Sequence, residues 1–181
     1  MKILKRILIG IVVFIALLLI IALFIPTTYT VSESIVINKP KQVVYDYAKL
    51  VRNQEKYSVW ILKDPNIDMS YTGTDGTVGF VSAWNSKDDG IGEDMGEGSQ
   101  TITATTDERI DMDIKFIRPF ESRQKAAMLI TSETPTTTKV TSEFYGSDPY
   151  PMNLMSFIGK SIIRDAEQQN LKNLKEILEK Y

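Results

Sequence analysis

The sequence predicts an α+β fold. One N-terminal transmembrane helix precedes a curved antiparallel sheet of about seven strands, with two short helices after the first strand and a long C-terminal helix over the sheet. Three observations predict it. Ile7 to Ile25 is an apolar run of 19 residues without a charge. Between Tyr29 and Tyr145 the chain is a series of alternating or β-branched segments. From Pro151 to Lys180 apolar residues recur three to five positions apart, the spacing of one helix face.

At ~1.5 Å per residue the first run spans about 28 Å, close to the thickness of bilayer hydrocarbon. Lys2, Lys5 and Arg6 precede it, and no charge follows until Glu33. Basic flanks stay cytoplasmic, so the expectation is a single-pass cell-membrane protein with residues 1–26 as cytoplasmic tip and anchor and residues 27–181 outside. A cleaved signal peptide would have an apolar region of ~7–15 residues ending in a small-x-small site. Here the run ends Leu23-Phe24-Ile25-Pro26, so the uncleaved anchor is the better reading. The chain has no cysteine, which excludes a lipid-modified cysteine and any disulfide. Only Pro26-Thr27-Thr28 separates anchor from first strand, so the domain should sit hard against the membrane.

The remaining 155 of the 181 residues suffice for one domain with a core. Removing the three anchor-flanking basic residues takes the net charge from −2 to −5, which argues against nucleic acid as a partner.

"YTGTDGTVGFVSAW", Tyr71 to Trp84, invites a phosphate-loop reading that its spacing does not support. A P-loop needs Gly-x4-Gly-Lys-Ser/Thr, and a dinucleotide fold needs Gly-x-Gly-x-x-Gly opening a helix. Neither is present, and a strand-like run follows Gly79. Asp75-Gly76 is instead a two-residue hairpin signal. Folding there pairs Thr74 with Thr77, Tyr71 with Phe80, Met69 with Ser82 and Ile67 with Trp84. One face then carries Ile67, Met69, Tyr71, Val78, Phe80 and Trp84, as a half-buried antiparallel sheet requires.

Tyr29 to Asn38 reads as a strand. Pro40 opens a short helix through Leu50, and a second follows around Asn53 to Val59, ending before Trp60. "SKDDGIGEDMGEGS" is a polar turn region, and Gln100 to Thr106 a threonine-rich strand. Arg109 to Arg118 alternates strictly, with Ile110, Met112, Ile114 and Phe116 on one face and Asp111, Asp113 and Lys115 on the other. Arg123 to Glu133 and Lys139 to Tyr145 are joined by the turn-prone "TPTTT". In the closing helix, Met155, Ile158, Ile162, Ala166, Leu171, Leu174 and Leu178 make one apolar stripe. Only this helix is long enough to cover the sheet's apolar face, and a pocket between the two is a natural consequence: a helix-grip fold.

"DPNIDMSYTGTDGTVGFVSAW", "RPFES", "TKVT" and "YPMNL", in this order, resemble the polyketide-cyclase/dehydrase-like branch of the START-related SRPBCC superfamily. The resemblance runs from about Thr30 to Lys180, and its first motif points to a bacterial subgroup that is often membrane-anchored. It implies binding of lipids, hormones or polyketides under the long helix, with a few members acting as cyclases or hydrolases. The chain departs from the pattern in its last helix. Glu167 and Asn170 stand where an aromatic and a glycine are common, a departure that bears on cavity shape.

Histidine is absent, which removes Ser-His-Asp and Cys-His nucleophilic machinery and imidazole metal sites. Acid–base work would fall to Asp, Glu, Lys or Tyr shifted by burial. The loop acids Asp88, Asp89, Glu93, Asp94 and Glu97 lack calcium-loop spacing and read as a solvated hairpin tip, so no metal and no cofactor is expected. Arg118 and Arg123 flank "PFE" and could grip an anionic headgroup at a pocket mouth; an ordinary surface ion pair is the plainer reading. Tyr145 falls on the face opposite Phe144. The expected cavity lining is Tyr71, Phe80, Trp84, Met112, Ile114, Phe116 and Phe144 from the sheet and Met155, Ile158 and Ile162 from the helix.

The leading expectation is membrane-anchored binding of a lipid or other hydrophobic small molecule. One alternative is a cyclase, dehydratase or hydrolase using a cavity-facing carboxylate or tyrosine. It is the weaker because Asp111 and Asp113 point outward. The other is a protein-interaction module whose groove receives a partner segment.

Overall fold

The computed structural model describes residues 2–86 and 96–180, without the side chains of Phe157 and Ile158. Four of the loop acids, Asp88, Asp89, Glu93 and Asp94, lie outside the described residues. The chain opens with α1 (Lys2–Ala22), a helix long and apolar enough to cross a membrane, of which only Ala22 is buried. β1 (Thr28–Ile37) leads into α2 (Lys41–Ala48), a 3-10 helix (Val51–Lys56) and the short α3 (Val59–Lys63). Six further strands follow: β2 (Asp68–Thr72), β3 (Val81–Asn85), β4 (Glu97–Thr105), β5 (Arg109–Arg118), β6 (Ser122–Thr134) and β7 (Thr137–Ser147). They form one antiparallel seven-stranded sheet in the order β1-β7-β6-β5-β4-β3-β2, and α4 (Asn153–Glu179) lies over it.

The β2–β3 register differs from expectation by two residues. Met69 faces Trp84 and Tyr71 faces Ser82. The turn at Asp75-Gly76 forms, with Thr77 N–H donating to Thr74 O at 3.3 Å, but the ladder starts only at Thr72 and Val81. The loop between them is held open for another task. Asp75 accepts hydrogen bonds from the backbone N–H groups of Val51 (2.8 Å) and Arg52 (3.2 Å), capping the 3-10 helix. A Cβ on Gly76 would meet Leu50 and Lys49 at 3.3 Å, and its φ of +78° suits glycine. A slip of two preserves side-chain parity, so Phe80, Ser82 and Trp84 still face inward; Val78, left in the loop, is exposed.

The expected second helix is two pieces broken at Tyr57-Ser58, and Trp60 lies within α3 rather than beyond a helix end. The break has a tertiary cause. Asn170 on α4 accepts from Val59 N–H at 2.8 Å, and Asn173 donates to Tyr57 O at 2.9 Å. The α4 stripe is also corrected. Ala166, Leu171, Leu174 and Leu178 are buried, but Met155 and Ile162 are exposed, and Ser156 and Ile163 turn inward in their place.

Candidate functional site

α4 runs closest along β1. Lys175 donates to Val36 O at 2.7 Å, and Glu179 accepts from Asn38 N–H at 2.6 Å. Its C-terminal leucines close onto Ile37, Val44, Ile130 and Val140, all fully buried. Toward its N-terminal half the helix stands off the concave face of β2–β7. The space between is a cavity of about 320 Å³. Met69, Trp84, Met112, Ile114, Phe116, Met128 and Phe144 line its sheet side, and small Ala126 leaves room among them. Tyr57, Trp60 and Ile61 wall the flank, and Ile163, Glu167, Leu171 and Leu174 form the roof.

Trp84 depends on a glycine. A Cβ on Gly98 would sit 2.4 Å from its ring, so only glycine lets the indole lie across β4. Phe116 then meets that ring edge-on, centroids 5.9 Å apart.

Trp84, Met112, Ile114, Phe116 and Phe144 therefore line the cavity, and Arg118 stands at its rim beside Pro119. The Arg118 guanidinium is held by Glu97 (3.2 Å), Asn85 (2.6 Å) and the Ser86 carbonyl (3.0 Å). Tyr71 and Phe80 do not line it. Phe80 belongs to the solid core, and Tyr71 stacks on it at 6.0 Å while its hydroxyl donates to Glu55 and the Arg52 guanidinium covers its ring. Met155 and Ile162 face solvent, and the Ile158 side chain lies outside the described residues. Arg123 points to the opposite, exposed face of β6, away from Arg118, so the two arginines do not form one mouth.

Sequence reasoning missed the polar part of the cavity. Ser142 donates to a Glu167 carboxylate oxygen at 2.6 Å, and Asn170 also bonds that carboxyl. Burial raises the Glu167 pKa, against the lowering effect of these two hydrogen bonds. The buried Tyr57 hydroxyl has no hydrogen-bond partner among the described residues. Burial first, and the Glu167 charge next, hold its pKa well above the usual phenol range. The signal for Glu167 was present in the sequence, four residues before Leu171 and seven before Leu174 on the inward stripe. Glu167 and Asn170, the two departures from the resembled family, both line the cavity.

Asp111, Asp113 and Glu143 carry their carboxylates on the outer face of the sheet. Asp111 accepts from Arg109 at 2.8 Å, and Tyr145 donates to Glu143 while accepting from Arg109 at 3.1 Å. Asp111 and Asp113 thus face away from the cavity, and the carboxylate required by the enzyme alternative is supplied by Glu167 instead. At the sheet end where β1 begins, Asn153 donates to the carbonyls of Ala22 and Ile25, both at 2.7 Å, and so caps the end of α1. Phe120, in the β5–β6 turn at this end, and Tyr150, Met152 and Met155 are exposed.

A seven-stranded antiparallel sheet gripped by one long helix around a cavity is the Bet v1 type of helix-grip fold. Solved structures share it. Norcoclaurine synthase from Thalictrum flavum, in complex with dopamine and hydroxybenzaldehyde, is similar with a TM-score of 0.63 at 8% identity, over 85% of this chain and 88% of that one. XoxI from Bacillus cereus gives 0.59 at 12% identity, over 82% and 94%. Ara h 8.0201 gives 0.56 at 13% identity, over 85% and 99%. At such identities the likeness is one of fold. No protein-family model and no curated protein matches the sequence.

Proposed function

We propose that the chain binds a lipid or other hydrophobic small molecule in the cavity under α4, beside a membrane that α1 spans. One observation carries the reading: the interior is not solid. Its volume of about 320 Å³ is roughly twice that of an engineered apolar cavity of ~150 Å³ that takes up benzene. Aromatic and methionine walls suit an adaptable apolar guest. The norcoclaurine synthase structure, of the same fold, holds two small aromatic molecules.

Membrane proximity is supported by the Asn153 cap, which ties the end of α1 to the start of the gripping helix. The cavity rim at Arg118-Pro119 and the exposed Phe120 lie at that same end of the sheet.

The test is mass spectrometry of the full chain, taken from membranes into a non-ionic amphipol, beside Ala126→Phe. The native chain should carry a bound hydrophobic molecule, and the variant, its void filled, should lose it. An empty native chain that also takes up no hydrophobic probe defeats the reading. Sedimentation of the chain with carbonate-washed membranes tests the anchor separately.

A second reading, acid–base chemistry on the guest, is favoured by one observation, the cavity-facing Glu167 with its raised pKa. It requires a bound molecule to emerge chemically altered, and Glu167→Gln to stop the change.

A further inference from the structure

We propose that the polar patch formed by Glu167, Ser142, Asn170 and Tyr57 is a headgroup site. The guest is then an amphiphile that enters head first and whose head donates a hydrogen bond, as a hydroxyl or an ammonium does. The inference rests on the binding function proposed above and specifies its ligand class.

Gln54 and Gln100 also line the cavity but bond each other at 2.6 Å, whereas a buried polar atom without a partner is costly. The Tyr57 hydroxyl is such an atom: Tyr57 is 3% exposed, lines the cavity and has no partner among the described residues. Glu167 is similarly placed. Its carboxyl takes hydrogen bonds from Ser142 and Asn170, but a carboxylate offers about four lone-pair positions, so acceptor capacity is left over.

Head chemistry follows from these two groups. A hydroxyl donates to Glu167 and accepts from Tyr57; an ammonium donates to Glu167 and to the phenolic oxygen. A carboxylate or phosphate head can accept from Tyr57 but brings a second negative charge against Glu167. Among the described residues lining the cavity, the one basic side chain is Arg118, at the rim and already engaged by Glu97. An acidic head would therefore be held at the mouth, with its tail inward, rather than beside Glu167. Burial makes the empty carboxyl expensive to ionise, and a cationic head would relieve that cost.

Both tryptophans of the chain, Trp60 and Trp84, wall the cavity and report its occupancy. The experiment titrates the full chain in non-ionic amphipol with octylamine, octanol, octanoate and naphthalene, following tryptophan emission. Octylamine and octanol should bind about tenfold more tightly than octanoate at neutral pH, the value of one good charge-assisted or neutral hydrogen bond. Glu167→Gln should bring octylamine to within about twofold of octanoate, and Tyr57→Phe should weaken octanol several-fold while leaving naphthalene unchanged. Octanoate binding as tightly as the other two, or an unchanged order in Glu167→Gln, overturns the proposal. If naphthalene alone shifts the emission, the headgroup site is refuted and the container survives. If no compound does, both fall.

Discussion

The two halves of α4 meet the same sheet in opposite ways. Beyond Leu174 the helix closes on it, with Leu178 buried in the core and Ile37, Val44, Ile130 and Val140 all at 0% exposure. Up to Leu174 it spans a void. Both halves have inward positions at helical spacing, so periodicity does not separate them. Side-chain size does. The closed half supplies leucines four apart against β-branched residues. The open half supplies Ser156, Ala166 and Glu167 against Ala126 and Ser142, and fills the perimeter with large residues that the 3-10 helix and α3 hold at a distance. A helix-grip cavity is thus a packing deficit kept open by well-packed neighbours.

The difference can be broken most sharply at its two ends. Ile130→Ala, in the closed half and away from the cavity, should cost about 2–5 kcal/mol in denaturant unfolding, since nothing there can collapse into the gap. Ile114→Ala, which already borders the void, should cost about 1 kcal/mol or less, because it loses fewer contacts. Equal costs would mean that the two halves are packed alike. Gly98→Ala comes next. The new methyl would meet the Trp84 ring at 2.4 Å and the Lys115 carbonyl at 2.6 Å. A loss of about 1–3 kcal/mol should accompany a shift in tryptophan emission as the cavity wall moves. Asp75→Ala removes the cap of the 3-10 helix that leads to Tyr57, and should cost about 1 kcal/mol. It should also loosen amide exchange at Val51 and Arg52 before the rest of the domain.

Glu167→Gln sharpens the comparison by pH. Burial raises the folded-state pKa of Glu167 above its ordinary value of 4.5, so the folded chain binds this proton more tightly than the unfolded one. The native domain is therefore stabilised by the protonated form at low pH and loses that stabilisation as pH rises from about 4.5 through the raised value. The glutamine variant lacks this loss. Relative to the native chain its unfolding midpoint should rise as pH is raised through that window and level off above it. A parallel pair of pH profiles would show that the carboxyl is solvated rather than enclosed.

Much of this was legible beforehand, and the misses are instructive. β5 was readable to the residue because a sheet with one wet face enforces period two, and Ile110 to Phe116 obeys it; only Ile117 and Arg118 at its end break the alternation. Five of the seven sheet residues expected in the cavity line it, since inward parity survives even the two-residue slip at β2–β3. Tyr71 and Phe80 failed because parity gives the face and not the position along it. Their strand end lies over the core and against Arg52 and Glu55. Met155 and Ile162 failed because a stripe read at loose spacing drifts around a 27-residue helix by about 100° for each residue of offset. Arg118 and Arg123 sit on strands that run in opposite directions from one turn, and their numbers differ in parity.

The order of elements, the inward faces of the strands and the apolar N-terminal helix were determined by the sequence alone, because periodicity and hydrophobic length are properties of neighbouring residues. Whether α4 and the sheet close or stand apart was decided only by the tertiary structure. That depends on the summed volumes of side chains from distant segments and on Asn170 and Asn173 pinning the elbow at Tyr57. The same assembly turned Glu167 from a break in an apolar stripe into a polar group inside the cavity.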